Sequence, residues 1–222
     1  MLLANNRPQR RQHHSLTYYL RQTAALLFGA MLAIEYFRVS EITHTFSFWC
    51  LALHFVFFQL PLRSRALVWF HPLSYIVAVA EPVRYLILLY TKPGLERDRM
   101  ELWELSLASV VARALVLHLA PLLFHSLYVA LAAVGTGSST HSLVAGYSSK
   151  PRKLILGWSL LCFPLFGWIF DLACPSADAA SDTLALERLA PDYEGVARLA
   201  SGAAAAFAWF LLYFLILRRQ HA

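Results

Sequence analysis

Hydrophobic positions in this chain gather into six long stretches: approximately Leu20 to Phe37, Thr45 to Leu62, Leu67 to Tyr90, Ser106 to Val134, Leu154 to Cys174 and Leu199 to Leu217. Each approaches or exceeds the roughly 20 residues that a helix needs to cross a bilayer. The pattern predicts an all-α fold, a polytopic membrane helix bundle of about six transmembrane helices. It divides the chain into a basic tail over 1–19, a six-helix membrane domain over 20–217 and a second basic tail over 218–222.

Composition agrees with that pattern. Of 222 residues 59% are hydrophobic and 14% charged, with a mean hydropathy of +0.53, too apolar for a soluble domain of this size. Charge then sets orientation. Assigning alternate loops to opposite sides puts Arg7, Arg10, Arg11, Arg63, Arg65, Lys150, Arg152, Lys153, Arg218 and Arg219 on one side, with no acidic residue among them. The acidic residues, from Glu41 through Glu96, Asp98 and Glu101 to Asp178, Asp182, Glu187, Asp192 and Glu194, fall on the other. Lys and Arg are in excess on the cytoplasmic side, so both termini are expected in the cytoplasm, and one span more or fewer would scramble the segregation.

The net charge of +6 is accounted for by these helix-end residues beside anionic headgroups, and nucleic-acid binding is not expected. Cys50, Cys162 and Cys174 form no CxxC pair, so neither a disulfide framework, a metal site nor a cofactor is indicated. Gly135-Thr-Gly137-Ser lacks the Gly-Lys-Ser/Thr completion of a phosphate loop. The connection over Gly135 to Ser149 is expected to be flexible, and the acidic loop Pro175 to Arg198 carries no motif.

Candidate chemistry lies in the polar residues inside the spans, because an ionisable side chain at membrane depth is costly and is by default a functional-site hypothesis. His118 and His125 stand seven residues apart on one face of the fourth span, with Pro121 between them. Ser47, Cys50 and His54 fall along one stripe of the second span, which should face protein or a water-filled cavity. In the third, Glu81 and Arg84 are spaced to pair beside Pro82, and a structural bridge is the expected role. Glu35, near the outer end of the first span, is expected to stay wet, as is Asp171 in the fifth. Small residues from Ser201 to Ala206 permit close helix approach in the sixth.

Three stretches together resemble the androgen-induced protein family, whose members are six-span membrane proteins and some of them intramembrane lipid hydrolases. They are Phe46-Ser47-Phe48-Trp49 with Val56-Phe57-Phe58; Val79-Ala80-Glu81-Pro82 with Tyr85 and Leu88-Leu-Tyr90; and His118-Leu-Ala-Pro121. The resemblance implies hydrolysis of lipid esters, such as fatty acid esters of hydroxy fatty acids, by a hydroxyl nucleophile and a histidine. By position it puts the nucleophile, usually threonine, on Ser47 and the histidine on His118, with Thr45 as the alternative nucleophile. It also implies an endomembrane such as the endoplasmic reticulum, with the plasma membrane as the alternative. The chain departs from the family in lacking the acidic residue after the span-four proline, and it keeps only Gly167-Trp168 of the Gly-x-Trp-x-Tyr-Pro pattern.

On this reading His118 acts as general base toward Ser47, since an unassisted hydroxyl is a weak nucleophile. Arg113 or freed backbone groups stabilise the oxyanion, and His125, Glu81 and Arg84 are supporting candidates. Depth is the obstacle: Ser47 is expected about 3 to 6 Å below the outer boundary, but His118 about 18 Å down if its helix starts at Ser106, or about 7 Å if it starts at Arg113. The expected partners are membrane lipids, a lipid ester substrate and other membrane proteins. Two other classes stay open: a non-catalytic membrane-complex subunit or scaffold, and a small transporter.

Overall fold

The computed structural model describes residues 7–38, 45–61, 65–91, 93, 94, 97, 100, 101, 104–134, 152–174 and 191–220. The loop expectations for 135–149 and 175–190 lie outside these residues, as do most of the loop charges and the side chains of Asp171, Arg218 and Arg219. All regular structure among the described residues is helical. In order it comprises α1 (Arg7–Arg38), α2 (Phe46–Gln59), α3 (Arg65–Thr91), α4 (Leu107–Ala114), a π-helical turn (Leu115–Leu119), α5 (Ala120–Val134), α6 (Arg152–Ala173) and α7 (Pro191–Gln220).

Four helices are long and apolar enough to cross a membrane: Ala66–Thr91, Leu107–Leu131, Lys153–Phe170 and Val196–Phe214. The helices of the other two expected spans differ. Helix α2 is apolar but has 14 residues, a length of about 21 Å against a hydrocarbon core of about 30 Å. Helix α1 begins at Arg7, inside the segment expected as a tail, and carries Arg21 and Glu35 within its apolar part.

Helix α3 is the centre of the bundle. It packs against α2, the π turn, α5, α6 and α7, while α1 lies across α2 and α5. In its apolar window 50% of the residues are buried, against 33% or less in the other three spanning helices. The outer helices turn leucines away from it: Leu115, Leu119, Leu123 and Leu127 recur every fourth residue and are all exposed. An outward apolar ridge over a polar interior suits lipid surroundings, because hydrocarbon solvates leucine and rejects unpaired polar groups.

Close approach of α7 depends on its small residues. Ala197, Ser201 and Ala205 are fully buried at four-residue spacing and continue into buried Trp209 and Tyr213. A Cβ on Gly202 would lie 2.6 Å from Cε1 of Phe163, so any larger residue there forces that ring to shift. The Trp158 indole N–H donates to the Trp69 carbonyl at 2.7 Å, tying α6 to α3.

Two ionic contacts hold α1. The Arg21 guanidinium donates to the carbonyls of Phe57 and Phe58, at 3.1 and 3.0 Å, and of Leu60, at the end of α2. Helix C-termini leave such carbonyls without intrahelical donors. Farther along, Glu35 pairs with Arg113 of α4. The expectation of a wet Glu35 is therefore corrected: it is 1% exposed, held by the α4 guanidinium.

Candidate functional site

The polar residues of α2, α3 and the fourth span meet in two buried layers. The first is built around Glu81 of α3. Ser47 Oγ donates to Glu81 Oε1 at 2.6 Å, and Arg84 Nη2 donates to Ser47 Oγ at 2.8 Å. Arg84 also closes a fork on the carboxylate, with Nη2 at 2.9 Å from Oε1 and Nε at 3.1 Å from Oε2. His118 Nδ1 lies 3.3 Å from the same Oε1, and the Cys50 thiol is 3.9 Å from Oε2.

Local sequence explains how each group arrives there. One helical turn separates Glu81 from Arg84, so both leave α3 on the same side and pair, as their spacing predicts. Thr45 caps α2 by accepting the Phe48 N–H at 3.3 Å, which puts Ser47 in the first turn. His118 lies in the π turn, just before Pro121. A proline ring crowds the carbonyl four residues back, here Leu117, which disfavours α geometry in this segment. The Ala120 N–H instead reaches the Leu115 carbonyl. Such π bulges re-aim side chains and recur at functional sites. The imidazole is then stacked on Tyr85 at 4.0 Å between centroids and 12° between planes.

The depth obstacle disappears because α2 begins inside the bundle. Phe46, its first residue, is buried with ring contacts to Phe163, Phe166 and Phe170 of α6. Ser47 therefore sits level with a residue well into the fourth span, whose helix starts at Leu107 after the Ser106 cap.

Several expectations need correction. The Ser47 hydroxyl donates to Glu81 rather than to His118, because the carboxylate stands between them. Arg113, expected to support an oxyanion, is engaged with Glu35 of α1. His125 belongs to the second layer, one seven-residue step away. Thr45, the alternative nucleophile, is buried with its oxygen serving as the helix cap. Cys50 and His54 do follow Ser47 into the interior, as the polar stripe on α2 requires.

The second layer centres on Ser74 of α3. His125 Nε2 lies 2.9 Å from Ser74 Oγ, His54 Nδ1 lies 3.1 Å from it, and the two ring nitrogens are 3.3 Å apart. Phe57 and Phe58 flank His125 at 4.7 and 5.0 Å between centroids, and His71 lies at 6.1 Å. The sequence reading did not single out Ser74, His71 or Arg21. A signal for Ser74 was present: Ser47/His54, Ser74/Glu81 and His118/His125 share one seven-residue spacing on three separate spans. Seven residues rise about 10 Å and return close to the same face, so three such pairs make two layers.

Among the described residues no group of three or more His, Cys, Asp or Glu side chains is arranged to hold a metal ion. Comparison with protein-family models, curated proteins and solved structures finds no match to this chain. The site brings together a hydroxyl, a carboxylate, a guanidinium and an imidazole, all buried.

Proposed function

We propose that this chain is an intramembrane hydrolase of lipid esters, with Ser47 as nucleophile and Glu81 and His118 as its proton-accepting pair. The observation that carries the proposal is convergence on one carboxylate oxygen: Ser47 Oγ donates to Glu81 Oε1 at 2.6 Å, and His118 Nδ1 lies 3.3 Å from it, at ion-pair distance but outside hydrogen-bond geometry. A nucleophile within hydrogen-bond reach of a base, and a base oriented by a further group, are the signature of acyl-enzyme chemistry. Here Arg84 also donates to Ser47 Oγ, which favours charge developing on that oxygen.

In the proposed reaction Ser47 Oγ attacks the ester carbonyl carbon and its proton passes to the Glu81–His118 pair. The carbon–oxygen bond to the alcohol then breaks, and the alcohol leaves with that proton. Water completes the cycle by attacking the acyl-Ser47 ester, releasing the fatty acid and returning a proton to Oγ. The acyl chain enters sideways from the bilayer. The proposal includes six membrane crossings with both termini cytoplasmic, supported by the segregation of basic and acidic loops. An endomembrane is the proposed location.

The test is labelling of the purified full chain with a fluorophosphonate probe and mapping of the adduct. An adduct on Ser47 that is lost in Ser47→Ala and in His118→Gln supports the hydrolase. No adduct on protein that elutes as a single folded species refutes it. Closure of the cluster favours a second reading, a non-catalytic subunit or scaffold. Ser47, Glu81, Arg84 and His118 are all buried, and the serine oxygen is already engaged on two sides. That reading predicts folded, unlabelled protein whose stability falls on substitution of Glu81.

A further inference from the structure

The members of the Glu81 layer are not held equally. Ser47, Glu81 and Arg84 are joined by hydrogen bonds of 2.6 to 3.1 Å, whereas His118 Nδ1 has no hydrogen-bond partner and lies only at ion-pair distance from the carboxylate. Hydrogen bonding at Nδ1 therefore does not set the plane of this imidazole. The ring of Tyr85 does, stacked on it with centroids 4.0 Å apart and planes 12° apart. Elsewhere in the bundle the histidine rings meet aromatic neighbours edge-on: His54 with His125 at 63° and His71 with Trp209 at 68°.

Both halves of the stack are fixed by the helices that carry them. Tyr85 follows Glu81 by four residues, so α3 turns its carboxylate, the Arg84 guanidinium and the phenol ring to one side. His118 comes to that side from the π turn of the fourth span. The face of an aromatic ring carries negative potential, and it attracts a cation more strongly than a neutral ring.

We propose that Tyr85 is a positioning residue for the ester chemistry. Its ring face holds the imidazole in the plane that addresses Glu81, and it stabilises the imidazolium formed when His118 receives the Ser47 proton through the Glu81–His118 pair. The role rests on the hydrolase reading given above. Its effect falls on the reacting state: stacking of neutral rings is present from the start, and the added attraction appears only as the imidazole gains charge. An interaction that strengthens along the reaction raises the rate rather than the affinity. The same face offsets the repulsion between an imidazolium and the nearby Arg84, which the Glu81 carboxylate also counters.

The test follows labelling of the purified full chain by an alkyl fluorophosphonate over time at several probe concentrations, which separates the maximal rate of adduct formation from the half-saturating concentration. Tyr85→Leu is expected to lower the maximal rate by about 2- to 30-fold, the range that corresponds to a cation–π attraction of about 0.5–2 kcal/mol, with the half-saturating concentration unchanged. Tyr85→Phe keeps the ring face and is expected to label at the wild-type rate. Tyr85→Met, which also lacks an aromatic face, is expected to behave as Tyr85→Leu and replaces it should the leucine variant not fold. A labelled wild type whose maximal rate is unchanged in Tyr85→Leu and Tyr85→Met overturns the role of Tyr85 and leaves the hydrolase reading standing. So does a loss as large in Tyr85→Phe as in Tyr85→Leu, or a change confined to the half-saturating concentration. A folded wild-type chain that takes no label overturns the hydrolase reading and this role together.

Discussion

Replacing Arg21 by methionine removes the guanidinium and keeps most of the apolar stem. In the folded chain Arg21 is 3% exposed, and its Nη2 reaches the carbonyls of Phe57, Phe58 and Leu60. The Phe57 carbonyl also receives the Leu60 N–H at 3.2 Å, so it keeps a partner in the variant. The carbonyls of Phe58 and Leu60 lose theirs. Leaving a buried acceptor unsatisfied costs about 1–3 kcal/mol; the Phe58 carbonyl bears this in full and the half-buried Leu60 carbonyl in part, so the two amount to about 2–5 kcal/mol. Methionine no longer has to be desolvated as a cation, which offsets part of this, and we expect a net loss near 3 kcal/mol, in the lower half of that range. For a chain of this size that corresponds to a fall in Tm of about 6–12 °C. The assay is thermal unfolding of the detergent-purified protein followed by tryptophan fluorescence. Arg21→Lys supplies a compact point charge without the planar fork and is expected to fall between wild type and methionine. A Tm for Arg21→Met within about 2–4 °C of wild type, equivalent to about 1 kcal/mol, would refute the claim that this guanidinium caps α2.

Two further predictions concern the site and its scaffold. Glu81→Ala leaves the Arg84 guanidinium buried without its carboxylate and is expected to cost about 3–5 kcal/mol, whereas Glu81→Ala combined with Arg84→Met recovers much of that loss; denaturation of the three proteins side by side checks both statements. Gly202→Ala drives a methyl group into the Phe163 ring and is expected to cost about 1–3 kcal/mol, with partial recovery on adding Phe163→Leu; equal Tm values for wild type and Gly202→Ala would remove the close-packing argument.

Much of the fold was legible because hydrocarbon surroundings leave little choice. Long apolar runs at membrane depth must satisfy their backbone internally, so helices were predicted, and helices are found. Side-chain pairing across one turn was equally local, and Glu81 with Arg84 followed from their spacing. The inward path of Ser47, Cys50 and His54 followed from periodicity, since three polar side chains on one face of an apolar helix cannot all be left in lipid.

What the sequence could not supply was the level at which helices meet. Periodicity gives the face of a helix but not its displacement along the axis relative to a neighbour, because that is set by packing between residues distant in the chain. Phe46 anchored among three α6 phenylalanines starts α2 inside the bundle and brings Ser47 level with His118. The same tertiary packing put Glu81 between them, gave Arg113 to Glu35 rather than to the site, and joined Ser74 to two histidines 20 and 51 residues away. Residue types and their seven-residue spacing were thus written in the chain. Which of them touch was decided only when α3 was surrounded by its neighbours, since a buried polar group is stable only opposite a partner that the fold alone provides.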